Sequence, residues 1–133
     1  MLENLKSLTI LYVEDSDLTR AMISTVLEDL VKKVYTAADG LEGLNVYKKI
    51  IPDIVITDMY MPNMDGIALV KEIKKISPKQ IIAMFTADKI EEVNQKHSIK
   101  INSYMMKPLN RKQFFNTLDY LGTLAINKVT TFP

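Results

Sequence analysis

The sequence predicts an α/β fold, a five-stranded parallel sheet with helices on both of its faces. Two observations carry this expectation. Short apolar runs rich in β-branched residues alternate with stretches of helical spacing along the whole chain. Several runs are continuously apolar, as strands buried on both sides of a parallel sheet are. The length agrees, because 133 residues suffice for one domain with a real core and are too few for two. Alternation of this kind implies right-handed crossovers between parallel strands.

The elements follow in order. The run "LTILYV" (8–13) reads as the first strand. Ser16 or Asp17 then caps a helix whose apolar stripe is Leu18, Met22, Val26, Leu27 and Leu30. After "KVYTA" (33–37), the Asp39-Gly40 turn enters a helix marked by Leu41, Leu44, Tyr47 and Lys48. Pro52 and Pro78 stand just ahead of "DIVIT" (53–57) and "QIIAMF" (80–85), where a helix must already have ended. Between those two strands, Leu69, Val70, Ile73 and Ile76 make a further stripe. A mostly polar helix is expected from Lys89 to His97, with Ile90 and Val93 as its only clear apolar pair. The last strand is "INSYMM" (101–106), and the last helix, from about Arg111 to Leu121, buries Phe114, Leu118 and Leu121. We expect one domain over residues 1–125, with its core at about 6–122. Residues 126–133 form a patternless tail, either a frayed end or the start of a linker.

Composition narrows the task without naming it. Lys plus Arg number 17 against 16 Asp plus Glu, so net charge gives no reason to expect direct nucleic-acid or membrane binding. The absence of cysteine excludes disulfides and thiolate metal sites and fits a reducing cytoplasm. No apolar run approaches the roughly 20 residues of a membrane helix, and "MLENLKSL" lacks the long apolar stretch of a signal peptide.

Chemistry gathers at one edge. In an open parallel sheet, ligands bind beyond the carboxyl ends of the strands. There the first strand ends in Glu14-Asp15, the third in Asp58, the fourth in Thr86-Ala87 and the fifth in Lys107-Pro108. Taken singly, these residues cap helices, fill turns or face solvent. Together they conflict, since two unit charges about 4 Å apart cost roughly 4 kcal/mol at an effective dielectric near 20. Lys107 offsets one such pair but hardly three carboxylates. A hard divalent cation offsets the cluster, and Mg²⁺ prefers a few carboxylates with water and phosphate oxygens. A cation, an ammonium, a hydroxyl and backbone N–H groups around one carboxylate form a cradle for a phosphoryl group, with Asp58 as its nucleophile.

The segments "LYVEDS" (11–16), "DMYMPNMDG" (58–66), "MFTA" (84–87) and "YMMKPL" (104–109) resemble, in order and spacing, those of the receiver domains of bacterial two-component response regulators. The resemblance covers about residues 6–122 and is close to the single-domain chemotaxis type. It implies a flavodoxin-like, doubly wound sheet of order 2-1-3-4-5 with five helices on both faces. It also implies a Mg²⁺-dependent signalling switch that is not an enzyme in the usual sense. Asp58 resembles the phosphoacceptor, Asp15 the direct Mg²⁺ ligand, and Glu14 a neighbour acting through water. The Tyr60 carbonyl would be the remaining protein ligand. Lys107 and Thr86, with the Met59 and Ala87 backbone N–H groups, would hold the phosphoryl oxygens. Tyr104 matches an aromatic switch coupled to Thr86, and the Lys107–Pro108 bond would be cis.

The implied partners are a sensor histidine kinase or phosphotransfer protein and, downstream, a protein target or fused output domain. The target would read the surface where the fourth strand, its helix and the fifth helix meet. The chain would act in the cytoplasm as a monomer or weak dimer. Tyr60 and Asp88 flank the path of hydrolytic water in this family, with Tyr60 expected to hinder it and Asp88 to orient it.

Rival readings fit less well. A haloacid dehalogenase-type hydrolase wants a second Asp where Tyr60 stands, and a flavin module wants a phosphate loop after the first strand. A never-phosphorylated adaptor has no need of mutually repelling carboxylates. His97, the only histidine, reads as a surface residue. The methionines at 59, 61, 64, 84, 105 and 106 read as gap-fillers, and Lys71, Lys74 and Lys75 as a solvated helix face.

Overall fold

Ile10 and Tyr12 point to one side of the first strand and Leu11 and Val13 to the other, and this alternation divides the core in two. The structure, a computed structural model, describes residues 2–87 and 99–130. The expected polar helix 89–97, with Asp88 and His97, lies outside the described residues.

The strands are β1 (Thr9–Val13), β2 (Lys33–Ala37), β3 (Ile54–Asp58), β4 (Ile81–Thr86) and β5 (Ser103–Met106). They form one parallel sheet of order β2-β1-β3-β4-β5. The order and direction are those expected, and each boundary falls within two residues of the sequence reading. The late start of β5 has a local cause. The Asn102 side chain accepts from the Ile82 N–H at 2.8 Å while the Asn102 N–H donates to the Ile82 carbonyl at 2.9 Å. A side chain thus does there what a strand residue would do.

The helices are α1 (Asp17–Glu28), α2 (Gly40–Ile50), α3 (Gly66–Ile76) and α4 (Arg111–Thr130), preceded by a 3-10 helix at Leu2–Ser7. Each of α1, α2 and α3 starts at an oxygen-bearing cap, respectively Ser16, Asp39 and Asp65, which accepts a backbone N–H three residues on. One core layer joins β1, β3 and β4 to Ile23 and Leu27 of α1 and to Phe114, Leu118 and Leu121 of α4. The other joins the opposite side of the sheet to Leu44 and Tyr47 of α2 and to Leu69, Val70 and Ile73 of α3.

Three expectations change. The α1 stripe is rotated: Ile23 and Leu27 are buried, whereas Leu18 (72%), Met22 (61%) and Val26 (39%) are exposed. Leu41 and Ile76 are also exposed rather than core. The last helix does not stop near Leu121 but runs to Thr130, because Ala125 is buried and Leu124 and Ile126 pack against the same layer. Leu5 of the 3-10 helix, fully buried, lies against Gly122.

The β3–α3 connection is closely fitted. A Cβ on Gly66 would lie 2.1 Å from the Asp58 carbonyl oxygen and 3.0 Å from the Met59 Cα, both backbone atoms that cannot step aside. Gly66→Ala is therefore expected to cost about 3 kcal/mol, measured by urea unfolding, with unchanged stability as the contrary result.

Candidate functional site

The carboxyl ends of β1 and β3 are neighbours in the sheet, so Glu14, Asp15 and Asp58 meet there. One carboxylate oxygen from each lies within 4.8 Å of those of the others. Glu14 and Asp58 are almost fully buried, at 3% and 5% exposure, whereas Asp15 is exposed. The Glu14 N–H donates to the Ala37 carbonyl at 3.0 Å, extending the sheet one residue beyond β1. Its side chain receives the Ser16 N–H on Oε2 at 3.1 Å and faces the Tyr12 hydroxyl at 3.4 Å from Oε1. Arg20 ties the turn down, donating to the Glu14 carbonyl at 2.8 Å and to Asp17 at 2.6 Å.

Burial raises the Glu14 carboxyl above the ordinary carboxylate range; the Ser16 N–H opposes this, and the Asp58 charge adds to it. A folded pKa above the unfolded one means that Glu14 favours folding below its unfolded value. That advantage is lost as pH rises through the folded value. At neutral pH its charge is therefore a cost to the fold, which a bound cation reduces.

Lys107 enters from the far side of β4. Its Nζ is 2.7 Å from Asp58 Oδ1 and its N–H donates to the Thr86 carbonyl at 2.9 Å. The Lys107–Pro108 peptide bond is cis. Thr86, at the end of β4 beside Asp58, is buried with its hydroxyl directed at the Met59 sulfur at 3.4 Å. Tyr104 on β5 is half-buried against the α2–α3 layer, and this burial raises its hydroxyl pKa. Tyr60 stands at the rim, 59% exposed.

The Met59 N–H, expected to meet a phosphoryl oxygen, already has a backbone partner. It donates to the Phe85 carbonyl at 3.0 Å, continuing the ladder past Asp58. A phosphoryl oxygen would have to share or displace that bond. The rest of the loop is pinned to α2: Asn63, at a φ of 67°, donates to Asp39 Oδ2 at 2.8 Å, and the Gly40 N–H donates to the Met64 carbonyl at 3.1 Å.

Two contributors escaped the sequence reading, Tyr12 and Arg20. The signal for Tyr12 was present, since residues 12 and 14 of a strand share a face and a buried phenol needs a polar partner. Lys71, Lys74 and Lys75 lie away from this edge, on α3. There Lys75 pairs with Glu72 at 2.7 Å and Lys74 donates to the Pro78 carbonyl at 3.2 Å.

An all-oxygen donor set with one exposed carboxylate fits a hard divalent ion such as Mg²⁺ and not a softer metal. No helix among the described residues is long and apolar enough to cross a membrane.

Comparison with known proteins gives a consistent result. Residues 10–119 match the response regulator receiver domain. The chain is 31% identical over 111 residues to the chemotaxis protein CheY of Halobacterium salinarum, covering 82% of this chain and 92% of that protein. It is 30% identical over 126 residues to the probable C4-dicarboxylate response regulator DctR of Priestia megaterium, covering 92% of this chain but only 55% of that protein. In several of the curated relatives, this chain therefore spans about half the length or less. Among solved structures, the chemotaxis protein CheY4 of Vibrio cholerae superposes with a TM-score of 0.78 at 31% identity, over 86% of this chain and 98% of that one. The N-terminal domain of an uncharacterized Wolinella succinogenes protein gives 0.82 at 26% identity, over 92% and 99% respectively.

Proposed function

The chain belongs to the response regulator receiver domain family, and from that premise we propose that it is a Mg²⁺-dependent switch phosphorylated on Asp58. Receiver domains of two-component systems are signalling phosphoacceptors rather than enzymes acting on a separate substrate. The observation that carries the proposal is the meeting of three carboxylates within 4.8 Å, with the Lys107 ammonium 2.7 Å from Asp58.

An Asp58 carboxylate oxygen attacks the phosphorus of a donor phosphohistidine. A P–O bond forms as the P–N bond breaks, and the electron pair leaves with the imidazole. Asp15, Asp58 and the Tyr60 carbonyl would hold the metal directly, with Glu14 reaching it through water. When bound, Mg²⁺ supplies neutralisation of the charge that builds on the phosphoryl oxygens. Lys107 can turn from the Asp58 oxygen to a phosphoryl oxygen, and the Ala87 N–H supports a second. The Thr86 hydroxyl, 3.4 Å from the Met59 sulfur, gains a charge-assisted bond when it turns toward a phosphoryl oxygen, and that bond favours the inward arrangement. Movement at the end of β4 then reaches Tyr104 on the neighbouring β5, where Met84 and Tyr104 are in register. The surface where the end of β4, the helix expected to follow it and α4 meet is thereby altered for a downstream protein or a fused output domain. We take residues 6–122 as the switching core.

Incubation with a small phosphodonor and Mg²⁺, followed by intact-mass measurement, tests this reading. It predicts a gain of one phosphate, and no gain under any condition favours a non-phosphorylated adaptor.

A protein donor must dock around the site, and exposed apolar side chains border it. Leu18 and Met22 lie on α1, and Leu109 (47% exposed) follows the Lys107–Pro108 turn. Met22, Val26, Leu109 and Phe115 share a groove of about 470 Å³. Met22→Glu is expected to slow transfer from a phosphorylated histidine kinase about tenfold while leaving transfer from the small donor unchanged. Equal slowing of both reactions contradicts a docking role.

A further inference from the structure

We propose that Tyr12 is a positioning residue, its hydroxyl orienting the Glu14 carboxylate at the acidic cluster. The inference rests on reading that cluster as the Mg²⁺ site.

Tyr12 and Glu14 are two residues apart at the end of β1, so their side chains leave the sheet on the same face. The Tyr12 ring is fully buried in the α1–α4 layer, in the core cluster that also holds Ile23, Leu27 and Phe114. Its hydroxyl emerges from that layer 3.4 Å from Glu14 Oε1, while the Ser16 N–H holds Oε2 at 3.1 Å. Both oxygens of one buried carboxylate thus face protein donors. Glutamate has one more side-chain torsion than aspartate, and a carboxylate free to swing would pay rotamer entropy each time it met the hydrated ion. A phenol locked by core packing has little freedom of its own, so it acts as a fixed stop. A phenol carries its proton at neutral pH, so the group meets the carboxylate oxygen as a donor.

The simpler view makes Tyr12 a core residue whose hydroxyl happens to end near an acceptor. The two views differ in what they make metal affinity do. A core role is visible in the stability of the metal-free chain, and a positioning role in Mg²⁺ binding. Isothermal titration calorimetry with MgCl₂ on the full chain separates them, using wild type, Tyr12→Phe, Glu14→Asp and the double variant. Tyr12→Phe is expected to weaken Mg²⁺ binding about three- to tenfold, as loss of an outer-shell hydrogen bond does, with the metal-free melting temperature nearly unchanged. In the Glu14→Asp background the shorter side chain withdraws from the hydroxyl, and Tyr12→Phe then costs less than about twofold. Tyr12→Leu lowers the metal-free melting temperature, and the phenylalanine variant restores it without restoring affinity. Wild-type affinity in Tyr12→Phe, or the same loss in both backgrounds, overturns the inference while leaving the metal site intact. A wild-type chain that takes up no Mg²⁺ overturns the site reading and this inference with it.

Discussion

Asp58→Asn is expected to abolish covalent phosphate gain from small donor and kinase alike. The amide keeps the shape of the carboxylate but lacks its charge and its nucleophilic oxygen pair. No other group at the cluster can substitute for it. Glu14 has both oxygens facing donors from Ser16 and Tyr12, Asp15 is the exposed member of the cluster, and the Lys107 ammonium is paired with Asp58. The change costs the fold little. Lys107 loses a partner at 2.7 Å, but its side chain is 42% exposed and is readily solvated. Meanwhile one of three mutually repelling charges disappears. Metal-free stability in urea should therefore hold or rise. Intact mass reads the first effect; residual single phosphorylation in the variant would move the acceptor elsewhere.

Asp15→Asn should preserve the acceptor and disable its activation. Asp15 is the exposed carboxylate of the three and thus the one best placed to hold an ion without first being desolvated. Losing the charge neutralisation the ion supplies is worth several kcal/mol in the transition state, which corresponds to about two to three orders of magnitude in transfer rate. Chelation of divalent ions from the wild type should give a loss of similar size, and chelator should add little to the variant. Rates followed by phosphate incorporation decide this. A variant that transfers at the wild-type rate, still sensitive to chelator, would remove Asp15 from the metal's coordination.

Much of this was legible in the sequence because the strands are unambiguous. Runs such as "DIVIT" have nowhere to lie except between two covered faces, and the residues that end them must then meet at one edge. Helix faces were less legible. Leu18, Met22 and Val26 are as apolar as Ile23 and Leu27, so periodicity marks a broad arc on α1 and only the position of the sheet selects its buried side. The length of α4 depends on a contact distant in sequence, that of Leu5 and its 3-10 helix with the region of Gly122. The engagement of the Met59 N–H with Phe85, and the approach of Tyr12 to Glu14, depend on register and on packing at the scale of one bond length. Residue types announce the chemistry of the site, and tertiary contacts decide which donors are already committed.

The central claim is that a divalent ion makes this meeting of acids tolerable. Its direct test is the unfolding free energy in urea, with and without saturating MgCl₂, for the wild type and for the combined Glu14→Gln, Asp15→Asn and Asp58→Asn variant. At about 100 times the dissociation constant, Mg²⁺ should stabilise the wild type by about 2.7 kcal/mol. The variant should match or exceed the metal-free wild type and ignore the ion. A wild type indifferent to Mg²⁺, or a variant less stable than the metal-free wild type, would contradict the account.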